Sequence, residues 1–462
     1  MSRPWETDSA AKRSKAKRKP SGTGDNVMDV SAARQEKQEV FISPPNARSE
    51  EHPNANSAEI TYLPKPREQR KGVAMCLSGG GFRAALFHMG ALRRLNELGV
   101  LSRLDTITSV SGGSIVAAHL ANTIRAWPEP GEVFEKWEEQ VAAPFRAFVG
   151  KDLCTGPVLQ KLLPWNWFRA GAQVKALQAR YRKRLTSLML SELAERPNYI
   201  FCATDLVFAA NWEFSRHQSG NGQAGYVRKP EGVSVAAAVA ASSCFPPLFE
   251  PMRVPVPADH IQGGRFRPED RRRLLVQAIR LTDGGVYDNM GLEPVWKDHR
   301  AVLVSDGGAP FQFVESRMPW QRLKRYVDIA ARQGSALRKR WLISALLEGV
   351  MDGAYWGVNS SPQRYHASYP GYSKALASEC IARIRTDMNR FTEAEVAVLE
   401  NHGYLLAEAA VRRHLALLPL ASTDAPLAIP HPVWMDEGRV RLALEDSGKL
   451  LTWRRIADAF RK

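Results

Sequence analysis

Nowhere in its 462 residues does the chain hold an apolar run of the roughly 18–20 residues that a bilayer span requires. The basic N-terminus has no apolar stretch behind its charges, so it does not read as a secretory signal. Cysteine is sparse. Cys76, Cys154, Cys202, Cys244 and Cys380 stand far apart without a CxxC pair, which argues against a disulfide framework or a zinc site and for reduced, cytoplasmic thiols. Two nucleotide signatures are also missing: no Gly-Lys-Ser/Thr follows a glycine loop at Walker spacing, and no GxGxxG opens a helix. No internal repeat is visible.

Positive charge is plentiful, with 64 Lys and Arg against 48 Asp and Glu, a formal net charge of +16. Part of it lies in the run Lys12-Arg13-Ser14-Lys15-Ala16-Lys17-Arg18-Lys19. Such an excess attracts polyanions, either nucleic acid or an anionic membrane surface, and composition does not choose between them. A hydrophobic content of 44% leaves enough apolar residues for a sizeable core, in one large α/β domain with extensions or in two domains.

Residues 1 to about 70 are rich in Lys, Arg, Ser, Asn, Pro and Glu and read as a disordered basic tail, since they bury too little to offset ordering entropy. Apolar runs at 72–77, 104–108, 199–204 and 301–305 read as buried strands, and Ala84–Leu95 has the apolar spacing of a helix packed on a sheet. Alternating strand and helix predicts a mostly parallel sheet covered on both faces. A helical block is expected over about 320–350. Thr392-Glu-Ala-Glu395 is a capping box for a helix running to about Leu417. The proline-rich stretch 418–433 reads as a linker or an extended surface arm, with a short amphipathic helix after it.

Three segments carry chemistry. Ser111 precedes Gly112-Gly113 between a strand and a helix, where a serine can sit at the tip of a sharp turn over a helix N-terminus. Ser78-Gly79-Gly80-Gly81-Phe82-Arg83 also joins a strand to a helix, and its consecutive glycines can aim backbone N–H groups at one point, as an oxyanion hole or a phosphate nest. Asp283-Gly284-Gly285 and Asp306-Gly307-Gly308 each place a carboxylate at a strand end. Either aspartate can serve as a base, or simply cap a turn. His88 and His119, on the helices after the two loops, are alternative bases whose plainer reading is packing.

Taken in this order, the segments resemble the patatin-like phospholipases: a Gly-Gly-Gly-x-Arg loop, a serine elbow about 30 residues on, and a distant Asp-Gly-Gly. Ala240-Ala241-Ser242-Ser243-Cys244-Phe245-Pro246-Pro247 is similar to a further segment of that family, and the capped helix with Glu400-Asn401-His402-Gly403-Tyr404 is similar to one in its bacterial members. The resemblance spans about 72–310.

It implies a three-layer α/β/α fold with helical C-terminal additions, and a Ser–Asp dyad in which Ser111 attacks an ester carbonyl and Asp283 is the base. Gly80 and Gly81 would donate to the oxyanion, Gly79 completing the loop and Arg83 supporting it. Asp283 is preferred to Asp306 because Asp283-Gly-Gly-Val-Tyr-Asp-Asn289 matches the family's segment. The elbow comprises Ser109 and Gly113 around Ser111; Ser109 stands where the family has glycine, and adds a second hydroxyl ranked below Ser111. No metal or cofactor is implied.

The expected organisation is a tail at 1–70, an acyl hydrolase domain at 71–417 (core 72–310, helical part 311–417) and a linker with a short helix at 418–462. The expected substrate is a phospholipid or lysophospholipid. The expected location is cytoplasmic, with peripheral contact to an anionic membrane at Pro164–Phe168 or Arg338–Leu347, and no nucleic acid bound. The sequence leaves the oligomeric state open. The alternatives are a non-catalytic anion- or nucleic-acid-binding protein, and an esterase or transacylase on other acyl esters.

Overall fold

A computed structural model describes residues 65–153, 171–246, 248–308, 319–415, 426–445 and 447. The basic run at 12–19, the aromatic segment 164–168, and parts of the proline-rich stretch and C-terminal tail lie outside the described residues.

Ten strands form one mixed sheet: β1 Val73–Leu77, β2 Thr106–Val110, β3 Asn198–Asp205, β4 Ala210–Phe214, β5 Gln218–Asn221, β6 Gly225–Arg228, β7 Met252–Arg253, β8 Arg280–Asp283, β9 Ala301–Asp306 and β10 Asp352–Gly357. The order is β10-β9-β1-β2-β3-β4-β5-β6, with β8 pairing β3 and β7. The five strands from β10 to β3 are all parallel, and the Val-, Ile- or Leu-containing runs of the four inward of the edge strand β10 are what burial on both faces demands. Beyond β3 the sheet turns antiparallel, an extension that the sequence did not announce. The second strand starts at Thr106, two residues later than expected, because Leu101–Arg103 forms a 3-10 turn and the Asp105 carboxylate accepts the Val73 N–H at 2.8 Å.

The helices are α1 Gly81–Glu97, α2 Gly112–Thr123, α3 Ala143–Val149, α4 Ala172–Arg184, α5 Val235–Ser243, α6 Glu269–Gln277, α7 Pro319–Leu347, α8 Lys374–Glu379, α9 Glu393–His414 and α10 Glu437–Leu444. Alternation along β1 divides the core into two layers. Met75 and Leu77 face α1, α2, α4, α5 and α9, whereas Ala74 and Cys76 face α7 and the segment Met290–Val295. The result is the three-layer α/β/α arrangement, with α9 and α10 as the C-terminal helical additions.

The long α9 starts at the foreseen capping box: Thr392 Oγ1 accepts the Glu395 N–H at 3.2 Å and Glu395 Oε2 accepts the Thr392 N–H at 2.8 Å. It packs along α1 with the two backbones in contact. A β-carbon at Gly403 would collide with the Phe87 carbonyl oxygen, and one at Gly90 with that of Glu400. Arg94 of α1 is buried there and paired with Glu408 at 2.7 Å and Glu97 at 2.8 Å.

Among the described residues Cys76, Cys202, Cys244 and Cys380 are free thiols, no three His, Cys, Asp or Glu form a metal-binding group, and no helix is long and apolar enough to cross a membrane.

Alanine normally stabilises a helix interior over glycine by about 1 kcal/mol. Gly403→Ala is expected to do the opposite, lowering stability by about 1–3 kcal/mol through the collision with Phe87. Urea unfolding of parent and variant measures it; a stabilised variant would refute the close helix crossing.

Candidate active site

Two strands meet end to end on one edge of β3. β2 pairs with it as far as Val110 opposite Cys202, and β8 takes up the next position, Asp283 opposite Ala203, running the other way. Both therefore point their C-terminal ends at the same place. Ser111 follows the last residue of β2 and Asp283 is the last residue of β8, so sheet register alone brings them together. The Ser111 hydroxyl comes close enough to the Asp283 carboxyl to draw its pKa down against the effect of burial.

Ser111 has φ 50° and ψ −114°, a backbone conformation that L-residues rarely adopt and that costs on the order of 1–3 kcal/mol. Its surroundings hold it there. The Ser111 N–H donates to Ser242 Oγ at 2.9 Å, Ser242 Oγ donates to the Cys202 carbonyl at 2.6 Å, and Ser114 Oγ lies 2.8 Å from Ser242 Oγ. The Gly284 N–H donates to the Ser242 carbonyl at 3.2 Å, so one residue of α5 tethers both the elbow and the aspartate turn. The sequence reading missed this support. Its only trace was a pair of serines ending an otherwise apolar helix.

The glycine loop packs directly on the elbow. A β-carbon at Gly112 would strike the Gly81 carbonyl oxygen, one at Gly113 that of Leu77, and one at Gly79 would lie 3.2 Å from the Ser111 β-carbon. Gly80 and Gly81 have φ of 141° and 58°, open to glycine and strained for any other residue. The Gly79 N–H is taken by the Asn289 carbonyl at 2.9 Å. The N–H groups of Gly80 and Gly81, at the start of α1, have no acceptor among the described residues.

Arg83 is buried, and its guanidinium donates to the carbonyls of Gly307 (2.8 and 3.2 Å), Ala382 (2.8 Å) and Ile384 (3.0 Å). Burial lowers its pKa to about 10, against the pull of Asp306. Its geometry is that of a clamp joining the glycine loop to the strand β9 turn and the 382–384 segment. Ser109 is fully buried in β2 and donates to the Ile200 carbonyl at 3.2 Å, away from the loop.

The two aspartates differ sharply. Asp283 accepts the Gly285 N–H at 2.8 Å and has no cation beside it among the described residues. Burial pushes its carboxyl up to about 6, against the Gly285 and Ser111 hydrogen bonds. Asp306 is also buried, which would push it up, but Lys339 at 2.7 Å and the Tyr355 hydroxyl at 2.7 Å bring it below the usual carboxylate range. A carboxylate so paired is a poor base; one near 6, beside a hydroxyl, is a good one.

The histidines are engaged elsewhere. His88 is fully buried between Ser305 Oγ (2.7 Å) and the Ser78 carbonyl (2.9 Å), and burial lowers it to about 4. His119 bonds the Val141 carbonyl at 2.8 Å and packs on Phe145.

Phe245, Leu248 and Val286 are exposed on the segments flanking Asp283, whose own N–H reaches the Cys244 carbonyl at 3.4 Å. Of the suggested membrane contact at 338–347, Leu342 and Ala345 are buried against the sheet, so this part of α7 is core cover on its inner side.

Comparison with known proteins supplies a family. Residues 75–296 match the family model of the patatin-like phospholipases. No curated protein matches significantly. Among solved structures, the human GIVD cytosolic phospholipase A2 is similar at 12% identity over 83% of this chain and 63% of that one, with a TM-score of 0.36. Its complex with methyl gamma-linolenyl fluorophosphonate inhibitor and terbium chloride gives 13% identity, 83% and 60% coverage, and a TM-score of 0.40. VipD from Legionella pneumophila gives 14% identity, 75% and 67% coverage, and a TM-score of 0.30. This chain thus spans about three fifths of the length of the human enzyme. Residues 75–296 are thus a patatin-like phospholipase domain, which supports a lipid acyl hydrolase in general.

Proposed function

We propose that the chain hydrolyses carboxylic esters of phospholipids or lysophospholipids through an acyl-serine intermediate. The observation that carries this is the sheet register that brings a hydroxyl on a strained elbow, Ser111, to a buried carboxylate, Asp283, with no cation beside it among the described residues.

In the first half-reaction Ser111 Oγ attacks the ester carbonyl carbon while Asp283 takes its proton. The carbonyl oxygen becomes an oxyanion, for which the unengaged N–H groups of Gly80 and Gly81 are the donors, reinforced by the positive end of α1. Collapse expels the lipid alcohol, which leaves with the proton from Asp283. Asp283 next deprotonates a water that attacks the acyl-serine, and as the Oγ–acyl bond breaks the proton passes from Asp283 to Ser111 Oγ and the fatty acid departs. Gly79 and Arg83 position the loop. Neither His88 nor His119 enters the cycle.

Ser111→Ala is expected to reduce fatty-acid release from phospholipid vesicles to background and to abolish labelling by a fluorophosphonate probe, both read by mass spectrometry. Unchanged release would end this reading, and a chain that never labels would favour a non-catalytic binder.

Asp283→Asn is expected to cut kcat by about 10²–10⁴-fold. In the parent, kcat/KM should rise through an acid limb near pH 6 as Asp283 ionises, reaching a plateau above it. A limb near pH 4 would shift the base role to another carboxylate.

The same substitution has a predicted effect on stability. The Asp283 carboxyl titrates near 6 when folded and near 3.8 otherwise, so the folded state is penalised as pH rises from about 4 to 6. Asp283→Asn removes a penalty on the order of 2–3 kcal/mol. Thermal unfolding should show the variant more stable than the parent at pH 7, with the advantage vanishing below about pH 4.

A further inference from the structure

A single helical turn, Gly285–Asp288, follows Asp283 and leads to Asn289. The Asp288 carboxylate pins the chain beyond it, accepting the Met290 N–H at 3.1 Å, the Leu292 N–H at 2.6 Å and the Glu293 N–H at 2.9 Å. The turn delivers Asn289 to the glycine loop after β1. There its carbonyl accepts the Gly79 N–H at 2.9 Å and its Nδ2 donates to the Gly79 carbonyl at 3.5 Å.

Three glycines make room for this one side chain, one from each of the loops that follow β1, β8 and β9. A β-carbon at Gly79 would lie 2.4 Å from Asn289 Oδ1, one at Gly285 2.6 Å from the same oxygen, and one at Gly308 3.0 Å from Nδ2. The first two points also locate the amide oxygen against the dyad. The Gly79 point is 3.2 Å from the Ser111 β-carbon, and the Gly285 point is 3.0 Å from Asp283 Oδ1. Asn289 Oδ1 and Asp283 Oδ1 are thus no farther apart than the roughly 5–6 Å that one water spans when it donates to two oxygens. Asn289 is half-buried, and among the described residues no donor reaches its Oδ1.

The two half-reactions make different demands on such an acceptor. In acylation the nucleophile is Ser111 Oγ, which its own covalent bonds hold on the elbow. In deacylation it is a free water. One carboxylate acceptor fixes one O–H of that water and leaves the molecule free to turn about it. A second acceptor fixes the other O–H, and with it the direction of the attacking lone pair. Other polar groups nearby are engaged: Ser109 and Ser114 bond to the Ile200 carbonyl and to one another, and Asp306 is held by Lys339 and Tyr355.

We infer that Asn289 Oδ1 is the second acceptor for the hydrolytic water, which makes Asn289 a catalytic residue of deacylation and not of acylation. The inference rests on the proposed acyl-serine cycle. As the water oxygen bonds to the acyl carbon, one proton passes to Asp283 and the other, held by Asn289, stays on that oxygen as the hydrogen of the carboxylic acid. The acyl–Oγ bond breaks, and Ser111 Oγ takes the proton back from Asp283.

Asn289→Ala and a p-nitrophenyl ester of a fatty acid separate the two steps. The burst of nitrophenol reads acylation, and decay of the acyl mass on Ser111, followed by intact-protein mass spectrometry, reads deacylation. The burst rate should stay within about threefold of the parent while the decay slows by about tenfold or more. Hydroxylamine, a nucleophile strong enough to need no such orientation, should clear the acyl group from variant and parent at similar rates. If thermal unfolding shows that the alanine variant does not fold, Asn289→Ser takes its place, with an expected slowing of about threefold or more. The inference is overturned if burst and decay fall in equal proportion, which would leave Asn289 only a brace of the glycine loop, or if the decay is unchanged. A parent chain that never forms the acyl adduct would overturn the acyl-serine cycle itself, and this role with it.

Discussion

The structure around Ser111 depends on backbone approaching backbone with no side chain between. The glycine loop and the serine elbow are pressed together so closely that β-carbons at Gly112 and Gly113 would strike carbonyls of the neighbouring strand and loop. That contact sets where α1 and α2 begin, and so where their N–H groups point. It also sets the conformation of Ser111, whose unfavourable φ and ψ persist because Ser242 and the glycines leave it no other path. A strained residue at a functional site is stable only when the surroundings over-determine it.

Charge placement then separates two carboxylates that look alike in sequence. Asp283 and Asp306 both end a strand and both precede Gly-Gly, yet Asp306 is held by Lys339 and Tyr355 and Asp283 by a hydroxyl and one N–H. Lys339 and Tyr355 come from α7 and β10, far along the chain. The motif identifies the pair, and tertiary packing decides which member stays available.

This contrast shows what the sequence could and could not disclose. The glycine loop, the Ser111 turn, the parallel strands and the Thr392 cap are local patterns, and each appears where its residues placed it. The meeting of β2 and β8 was not legible, because β8 is only Arg280–Asp283 and its register against β3 comes from residues 80 positions away. The β4–β6 meander escaped for a similar reason: Gln218–Asn221 and Gly225–Arg228 are short and polar, and pair through backbone rather than a strong apolar pattern. Ser242 escaped because a hydroxyl at the end of an alanine-rich helix looks like an ordinary terminus until its partners are seen.

The position of β1 has a consequence for how the protein is divided. Its two neighbours are β2, inside the region matched by the family, and β9, which follows that region. Arg83 likewise closes its hydrogen bonds on Gly307, Ala382 and Ile384, and α1 is covered by α9. The matched stretch therefore does not contain all the partners of its own first strand and glycine loop. The family match ends at residue 296, but the hydrogen bonds and backbone contacts that hold the loop beside Ser111 reach past it to β9, the 382–384 segment and α9.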